Sequence, residues 1–532
     1  MTESDLPVVQ LTPGRWGDPA QTVEVPPAAL AALQHLGVRR REAEGAGGPG
    51  ARADGPDADA RAGAAPQELM ELLGAEHVQV DFAARWAHTR GYSTPDLLKD
   101  RAGDRSGMPE AVVYPGSHDE VLRLLEICSG LGIAVVPYAG GTSVVGGLVP
   151  TKQFIAVDLR RLDRVSEIDE VSRTARLEAG VRGTAAEAAL KERGYTLGHF
   201  PQSYEGASIG GYAATRSSGQ SSAGYGRFDQ MVVGVTVATP RGTVELGRAP
   251  MSAAGPDLRQ LWLGSEGALG IITSVLVRIR PRPVERSFEG WRFASFTEGL
   301  DAIRRLAQDG PLPTVLRLSD EAETAVNLAD PEVLGGASGV QVIVGFEGTA
   351  TAVRRAAVAE VLAQAGGEPL GEEPGETWRK GRYRAPYLRD PLLDEGALVE
   401  TLETAGFWSK LPALKAAVTD ALVKSLGEQG TPPLVLCHVS HVYETGASLY
   451  FTVVCAQTDD PVAQWQQAKT AASTAIGAAG GTITHHHGVG TDHREAYAEE
   501  VGPLAIESLL AVKQVVDPRG ILSPGILLPH QG

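Results

Sequence analysis

Pro137-Tyr138-Ala139-Gly140-Gly141-Thr142-Ser143-Val144-Val145-Gly146-Gly147 follows an apolar strand pattern, Ile133 to Val136, and no helix pattern opens behind it. A glycine-rich turn holds phosphate by aiming free backbone N–H groups at it. In a dinucleotide fold the turn runs straight into a helix, whose N-terminus adds its positive end. Here two hydroxyl residues, two valines and a second glycine pair follow Gly141 instead. The stretch therefore reads as a strand-to-loop nest for a diphosphate, held without a helix dipole. Taken alone, an ordinary glycine-rich loop would fit as well.

Working outward, Ala111 to Tyr114 is a predicted strand, and Ser117 with Glu120 forms a capping box for the next helix. Val121, Leu124, Leu125 and Cys128 repeat at helical spacing, with Gly130 and Gly132 closing the helix. Phe154–Leu159 and Thr174–Ala179 alternate as strands, and Thr184–Arg193 reads as a helix. From Pro201 to Arg227 the side chains become small, so that backbone can approach a flat, extended ligand. Met231–Ala238 and Ile271–Pro281 are further strands, the second entered through Gly264-Ser265-Glu266-Gly267-Ala268-Leu269-Gly270. A terminal helix is expected over Glu495–Val516.

The 532-residue length calls for more than one domain. Four regions are expected: an N-terminal extension over 1–68, a cofactor domain over 69–284, a cap domain over 285–480 and a C-terminal segment over 481–532 that returns to the cofactor. Between Ala43 and Gln67 there is no large apolar side chain, which predicts a disordered linker. Ahead of it, Arg15-Trp16-Gly17-Asp18-Pro19 reads as a short docking element. A net charge of −17 argues against nucleic-acid binding, so an anionic substrate needs a local Arg or His cluster. Cys128, Cys437 and Cys455 sit in apolar contexts and predict no disulfide framework. The sequence has no leader pattern, no span long enough for a bilayer and no peroxisomal tripeptide, which predicts a cytoplasmic protein.

Together these segments resemble flavoproteins of the vanillyl-alcohol-oxidase fold, and within them the alkyldihydroxyacetonephosphate synthase family. The narrower features are Tyr387-Leu388-Arg389-Asp390, the strand Tyr443-Glu444-Thr445-Gly446-Ala447-Ser448-Leu449-Tyr450-Phe451, and His485-His486-His487-Gly488-Val489-Gly490. The resemblance implies an α+β chain: a vanillyl-alcohol-oxidase/p-cresol-methylhydroxylase-type FAD-binding domain with an α/β cap domain for substrate. It implies non-covalent FAD, touched by Pro137, Ala139, Gly140, Gly141, Thr142, Ser143 and Val144. Pro201, Ser203, Ser208, Ile209, Gly210, Gly211, Thr215, Ser218 and Gly219 would line the same cofactor, as would Glu266, Gly267, Gly270 and Ile271.

The implied reaction exchanges the acyl group of acyl-dihydroxyacetone phosphate for a fatty alcohol, through a covalent link to flavin N5, in ether-lipid synthesis. Arg389 would bind an anionic substrate group, with Arg317 as a second family arginine, and Tyr450 would be the acid/base residue. An unperturbed phenol needs a neighbouring cation to act as a base near neutral pH, and either a histidine or Arg389 could supply it. His485, His486 and His487 would line the cavity. In an extended segment alternate histidines point apart, so no metal site is expected. A homodimer with peripheral membrane contact is also implied. The family pattern has a lysine where this chain has Thr491, Asp492 and His493, and an aspartate where Gln202 stands. The alternatives are an FAD-dependent 2-hydroxy-acid dehydrogenase or oxidase on the same fold, and a flavin-binding protein without turnover.

Overall fold

The computed structural model describes residues 6, 8–18, 21, 23–40, 63–328 and 339–529. Most of the expected linker, as far as residue 62, lies outside them. From residue 63 the chain is held by the body of the protein, with Ala64 N donating to the Glu110 carbonyl at 3.1 Å.

The glycine loop emerges from the edge of a four-stranded sheet. Strand Phe154–Asp158 lies between Ala111–Val113 and Ala134–Tyr138, parallel to both, and Val78–Gln79 adds an antiparallel edge. Helix His118–Leu131 covers this sheet with Val121, Leu124, Leu125 and Cys128, all buried. The Ser117 hydroxyl caps it by accepting from Glu120 N. The Glu120 carboxylate accepts from Gly116 N at 2.6 Å, one residue earlier than a standard capping box places it. Gly132, left-handed at φ 71°, ends the helix, and Gly130 lies inside it.

Beside it lies an antiparallel five-stranded sheet in the order Val165–Asp169, Thr174–Glu178, Ile271–Arg278, Val232–Thr239, Gly242–Leu246. A third sheet has seven strands: Glu368–Gly371, Glu285–Phe293, Val340–Gly348, Val315–Ser319, Leu434–Val439, Gly446–Ala456 and Ala397–Phe407. Every pairing in it is antiparallel. Its core face buries Leu449, Phe451, Val453 and Cys455 against helices Leu411–Glu428 and Pro461–Ala478. The period of two in the last strand therefore turns Tyr450 and Thr452 to the opposite face. All three cysteines are free and buried.

The single terminal helix expected over Glu495–Val516 is two helices, Arg494–Val501 and Pro503–Val516. Gly502, at φ 81°, breaks the turn, and Pro503 cannot donate back across it. Beyond it the chain returns to the first sheet, where Ser523 N donates to Val135 O and Val135 N to Ile521 O. Among the described residues no helix is long and apolar enough to cross a membrane.

Candidate active site

The nest is built as its composition requires. Gly141 takes φ 70°. The Ser143 hydroxyl closes the turn by accepting from Gly147 N at 3.0 Å, and the Ser143 carbonyl is fixed by Tyr92 N at 2.7 Å. Among the described residues, the amides of Gly140, Gly141, Thr142, Ser143 and Val144 donate to no protein acceptor. Five consecutive free donors at a loop bottom fit a diphosphate.

The other small-residue segments converge on this loop. A Cβ on Gly140 would lie 2.5 Å from the Gly206 carbonyl, and one on Gly267 would lie 2.5 Å from Pro137 Cγ. Only glycine allows those approaches. Ser208, Ile209, Gly210 and Gly211 do structural work here. Ser208 caps helix Ile209–Thr215, and the amides of Ile209 and Gly210 pair with the carbonyls of Val181 and Ala179. Ser203 accepts from Gly206 and Ala207 through its carbonyl, while Pro201 is buried. A Cβ on Gly219 would lie 2.7 Å from Phe200 N, so this glycine seats its turn closely on the preceding one. Ile271 opens the long central strand of the five-stranded sheet after Gly270, at φ 147°.

Glu266, at φ 50°, accepts from Val489 N at 2.7 Å and Gly490 N at 2.8 Å, so it fastens the C-terminal segment to the turn at 264–270. Burial outweighs those two donors and pushes its carboxyl up to about 7. Val145 O accepts from Thr491 N and Asp492 N, adding a second fastening. Lys469, on helix Pro461–Ala478, reaches Asp492 at 2.6 Å, so a cation stands beside this turn although the sequence has none in it. A cavity of about 340 Å³ runs past Thr215, Gly264, Ser265, Glu266 and Leu269 to His485 and His486. Buried polar atoms without a partner lie on these segments: Gln202 Nε2, Gln220 Oε1, Ser221 Oγ and Ser265 Oγ. Buried polar groups are ordinarily paired, so free amides and orphaned side-chain atoms together fit a polar cofactor.

The histidine run meets the cap sheet through one carboxylate. Glu403 accepts from Thr484 Oγ1 and from the amides of His485, His486 and His487 at 2.6–3.0 Å. Burial would raise its pKa, but the three histidines beside it hold it far below the carboxylate range. Bending the segment around this anion removes the alternation expected of an extended chain. The rings of His485 and His486 lie 5.2 Å apart and those of His486 and His487 4.6 Å apart. His485 Nδ1 meets His486 Nδ1 at 3.0 Å, and His485 Nε2 meets the Tyr443 hydroxyl at 2.6 Å.

His441 stacks on His485 and is bound through Nδ1 to Ser222 and Ser218, at 2.6 and 3.0 Å. One nitrogen each of His441, His485 and His486 lies within 4.8 Å of the others, a ligand grouping that alternation along the chain would not allow. Arg227 donates to His485 O and pairs with Asp229.

Tyr450 faces this cluster, its ring 5.6 Å from His487 and stacked at 4.9 Å on His438. Behind it, Glu323 accepts from Arg317 at 3.0 Å and binds His438 Nδ1 at 2.9 Å. Among the described residues, Arg317 is joined to Tyr450 through Glu323 and His438. Against the effect of burial, His438 and Arg317 hold Glu323 down to about 2. Burial pushes the Tyr450 phenol up to about 12, while Thr401 and Arg389 pull the other way. Burial lowers His441, His485 and His486 from their ordinary value, and His487 to about 3. The histidines are thus neutral at pH 7, and the cation near Tyr450 is Arg389. Arg389 makes no ion pair among the described residues, and its buried Nε has no partner.

The family model for an FAD binding domain matches residues 109–247, and that for the C-terminal domain of FAD linked oxidases matches 282–527. Alkyldihydroxyacetonephosphate synthase of Dictyostelium discoideum is 32% identical over 490 residues, covering 87% of this chain and 80% of that one. The chain belongs to the alkyldihydroxyacetonephosphate synthase family. A solved structure of a synthase superposes with a TM-score of 0.74 at 29% identity, covering 87% of this chain and 86% of that one. p-Cresol methylhydroxylase shares the fold at 17% identity and a TM-score of 0.66, covering 86% and 95% of the two chains. The α+β flavoprotein architecture expected from sequence is therefore the architecture of this family, and its cofactor is FAD.

Sequence reasoning missed Glu403, Glu323, His438, His441, Tyr443 and Arg227. One signal was available: Glu400 and Glu403 are charged residues inside the otherwise uncharged strand Ala397–Phe407.

Proposed function

We propose that this protein is an FAD-dependent alkyldihydroxyacetonephosphate synthase, replacing the acyl group of acyl-dihydroxyacetone phosphate by a fatty alcohol. The observation that carries this reading is Arg389, whose buried Nε has no partner among the described residues and whose charge acts on both Tyr450 and Glu400. A guanidinium with a free N–H edge matches the phosphate of such a substrate.

When bound, FAD supplies a nucleophilic ring nitrogen and an electron sink. The glycine loop holds it without a covalent bond. Arg389 anchors the phosphate and so fixes C1 of the substrate. The imidazoles of His486 and His487 are both unprotonated at neutral pH, and His486 accepts the C1 proton, because His487, lowered to about 3, is the weaker base. Tyr450, which keeps its own proton there, hydrogen-bonds the departing carboxylate oxygen and orients it. Tyr443 occupies Nε2 of His485, whose Nδ1 meets Nδ1 of His486, and this chain of contacts sets the tautomer of His486. Ether-lipid synthesis in the cytoplasm, by a homodimer meeting the membrane peripherally, is the setting this reading implies.

The test is anaerobic mixing of the flavin-loaded protein with acyl-dihydroxyacetone phosphate and a fatty alcohol. Alkyl-dihydroxyacetone phosphate and free fatty acid should form in equal amounts, with no lasting loss of flavin absorbance. Bleaching by a 2-hydroxy acid, with no ether product, would make the protein a dehydrogenase instead.

A further inference from the structure

Arg389 lies on helix Ala385–Asp394, which is poorly equipped to hold it. The helix has ten residues and contains Pro391, which lacks the N–H that would bond the Tyr387 carbonyl. Tyr387, Asp390 and Asp394 share one face at spacings of three and four, while Arg389 falls on the far side.

That first face is occupied by the N-terminal segment. Trp16 N donates to Asp390 Oδ2 at 2.8 Å, and Arg101 Nη2 donates to Asp390 Oδ1 at 3.2 Å. Asp394 pairs with Arg101 at 2.9 Å and with Arg15 at 3.6 Å. The Tyr387 hydroxyl accepts from Asp18 N and donates to Glu205 at 2.7 Å. Val9 N donates to the Glu205 carbonyl. Trp16 packs with Tyr92, Leu97, Tyr387 and Leu393 in a small core of its own. Gly17 sits flat on the Tyr387 ring at φ 74°, where a Cβ would lie 2.3 Å from Cε1. Glu205 belongs to the small-residue flavin segment, so it joins that segment directly to the Arg389 helix, across 182 residues of sequence, and to the strap through Val9.

We propose that the N-terminal strap, seated through Gly17 and Trp16, positions Arg389 for the substrate anion, with Asp390 and Tyr387 as the positioning residues that receive it. The inference rests on Arg389 binding that anion. It also accounts for the rest of the Tyr387-Leu388-Arg389-Asp390 stretch, in which one residue serves the pocket and two serve the strap.

The experiment is a double-mutant cycle in the full-length, flavin-loaded protein, with Gly17→Ala, Arg389→Ala and both together. The readouts are kcat and KM for acyl-dihydroxyacetone phosphate, Ki for inorganic phosphate, FAD content and Tm. Gly17→Ala should raise KM and the phosphate Ki by about ten- to hundredfold, the scale of loss from a misplacement of about 1 Å. FAD content should stay at the wild-type level, and Gly17→Ala should add little once Arg389 is gone. Wild-type KM in Gly17→Ala, or losses that multiply in the double variant, would overturn the strap's role. Wild-type KM in Arg389→Ala would instead overturn the reading of Arg389 itself, and the positioning role with it. Should Gly17→Ala fail to retain FAD, Asp390→Asn decides by the same criteria, because it keeps the volume and removes the charge that the strap engages.

Discussion

Among the described residues, the five consecutive amides of 140–144 have no protein partner, whereas residues 485–487 give all three of theirs to Glu403. The first segment presents backbone and withholds side chains. The second ties its backbone down and presents side chains. The difference follows from what each end must recognise. A diphosphate can be held by any peptide N–H, so small residues and a left-handed turn suffice there. Proton transfer needs chosen groups at fixed positions, so the imidazoles must stand on immobile backbone. Glu403 provides that immobility from the cap sheet and keeps its charge because four donors and three rings surround it.

The comparison fails most visibly if Glu403 is dispensable. Glu403→Ala strands four donors, the His485 amide fully buried, and should destabilise the holoenzyme by about 3–5 kcal/mol, the range for breaking a buried charged network. Thermal unfolding of the loaded protein measures this, and turnover should vanish as the histidines lose their register. A smaller effect, of a different kind, is expected at the other end. Gly141→Ala forces a side chain to φ 70°, with its Cβ 2.2 Å from the Tyr138 hydroxyl. It should weaken FAD binding by about 1–3 kcal/mol, roughly five- to more than hundredfold in Kd. Titration of the stripped protein should then show normal kcat per bound flavin. A fall in kcat at full occupancy would mean that the loop also shapes the chemistry.

The smallest effect is a pH dependence. His487, at about 3 when folded, and the lowered His441, His485 and His486 bind fewer protons folded than unfolded near pH 5. Stability from them is therefore present above about 6.5 and is lost as pH falls. Glu403, also lowered, adds a loss that begins nearer its ordinary carboxylate value. Glu266, raised to about 7, and Asp100, raised to about 6, work the other way, as do the raised Asp96, Glu205, Asp390 and Glu400. But His118, His199, His438 and His493 are lowered as well and add to the loss. The Tm of the holoenzyme should drop between pH 7 and pH 5, and His487→Gln should flatten the slope by up to about 1.4 kcal/mol per pH unit. An unchanged Tm across that interval would mean that the imidazoles are already charged.

The two ends also differed in how far the sequence disclosed them. The nest was legible because Gly140, Gly141, Thr142 and Ser143 carry their geometry locally. The triple histidine was visible as chemistry but not as shape. What bends it is Glu403, 82 residues earlier than His485, and nothing in the run itself departs from an extended pattern. The strap was foreseen at Arg15-Trp16-Gly17-Asp18 as a docking element, yet its receptor, Asp390, lies 374 residues away from Trp16. The broken terminal helix was readable at Gly502-Pro503, where the apolar pattern that follows, Leu504 to Val516, masked a local stop. Long-range hydrogen bonds leave little trace in local periodicity, and the pocket is made mostly of them.

The central claim is that the imidazole and Tyr450 end moves a proton at C1 while the loop end only holds the cofactor. Acyl-dihydroxyacetone phosphate deuterated at C1, incubated anaerobically with the loaded enzyme in ordinary water and followed by mass spectrometry, tests it directly. Wild-type protein, and Gly141→Ala saturated with FAD, should release the label at matching rates. In His486→Gln release should slow by about 10²–10⁴-fold with FAD content unchanged. Label retained by the wild type through turnover, or lost as fast from His486→Gln, would contradict the account.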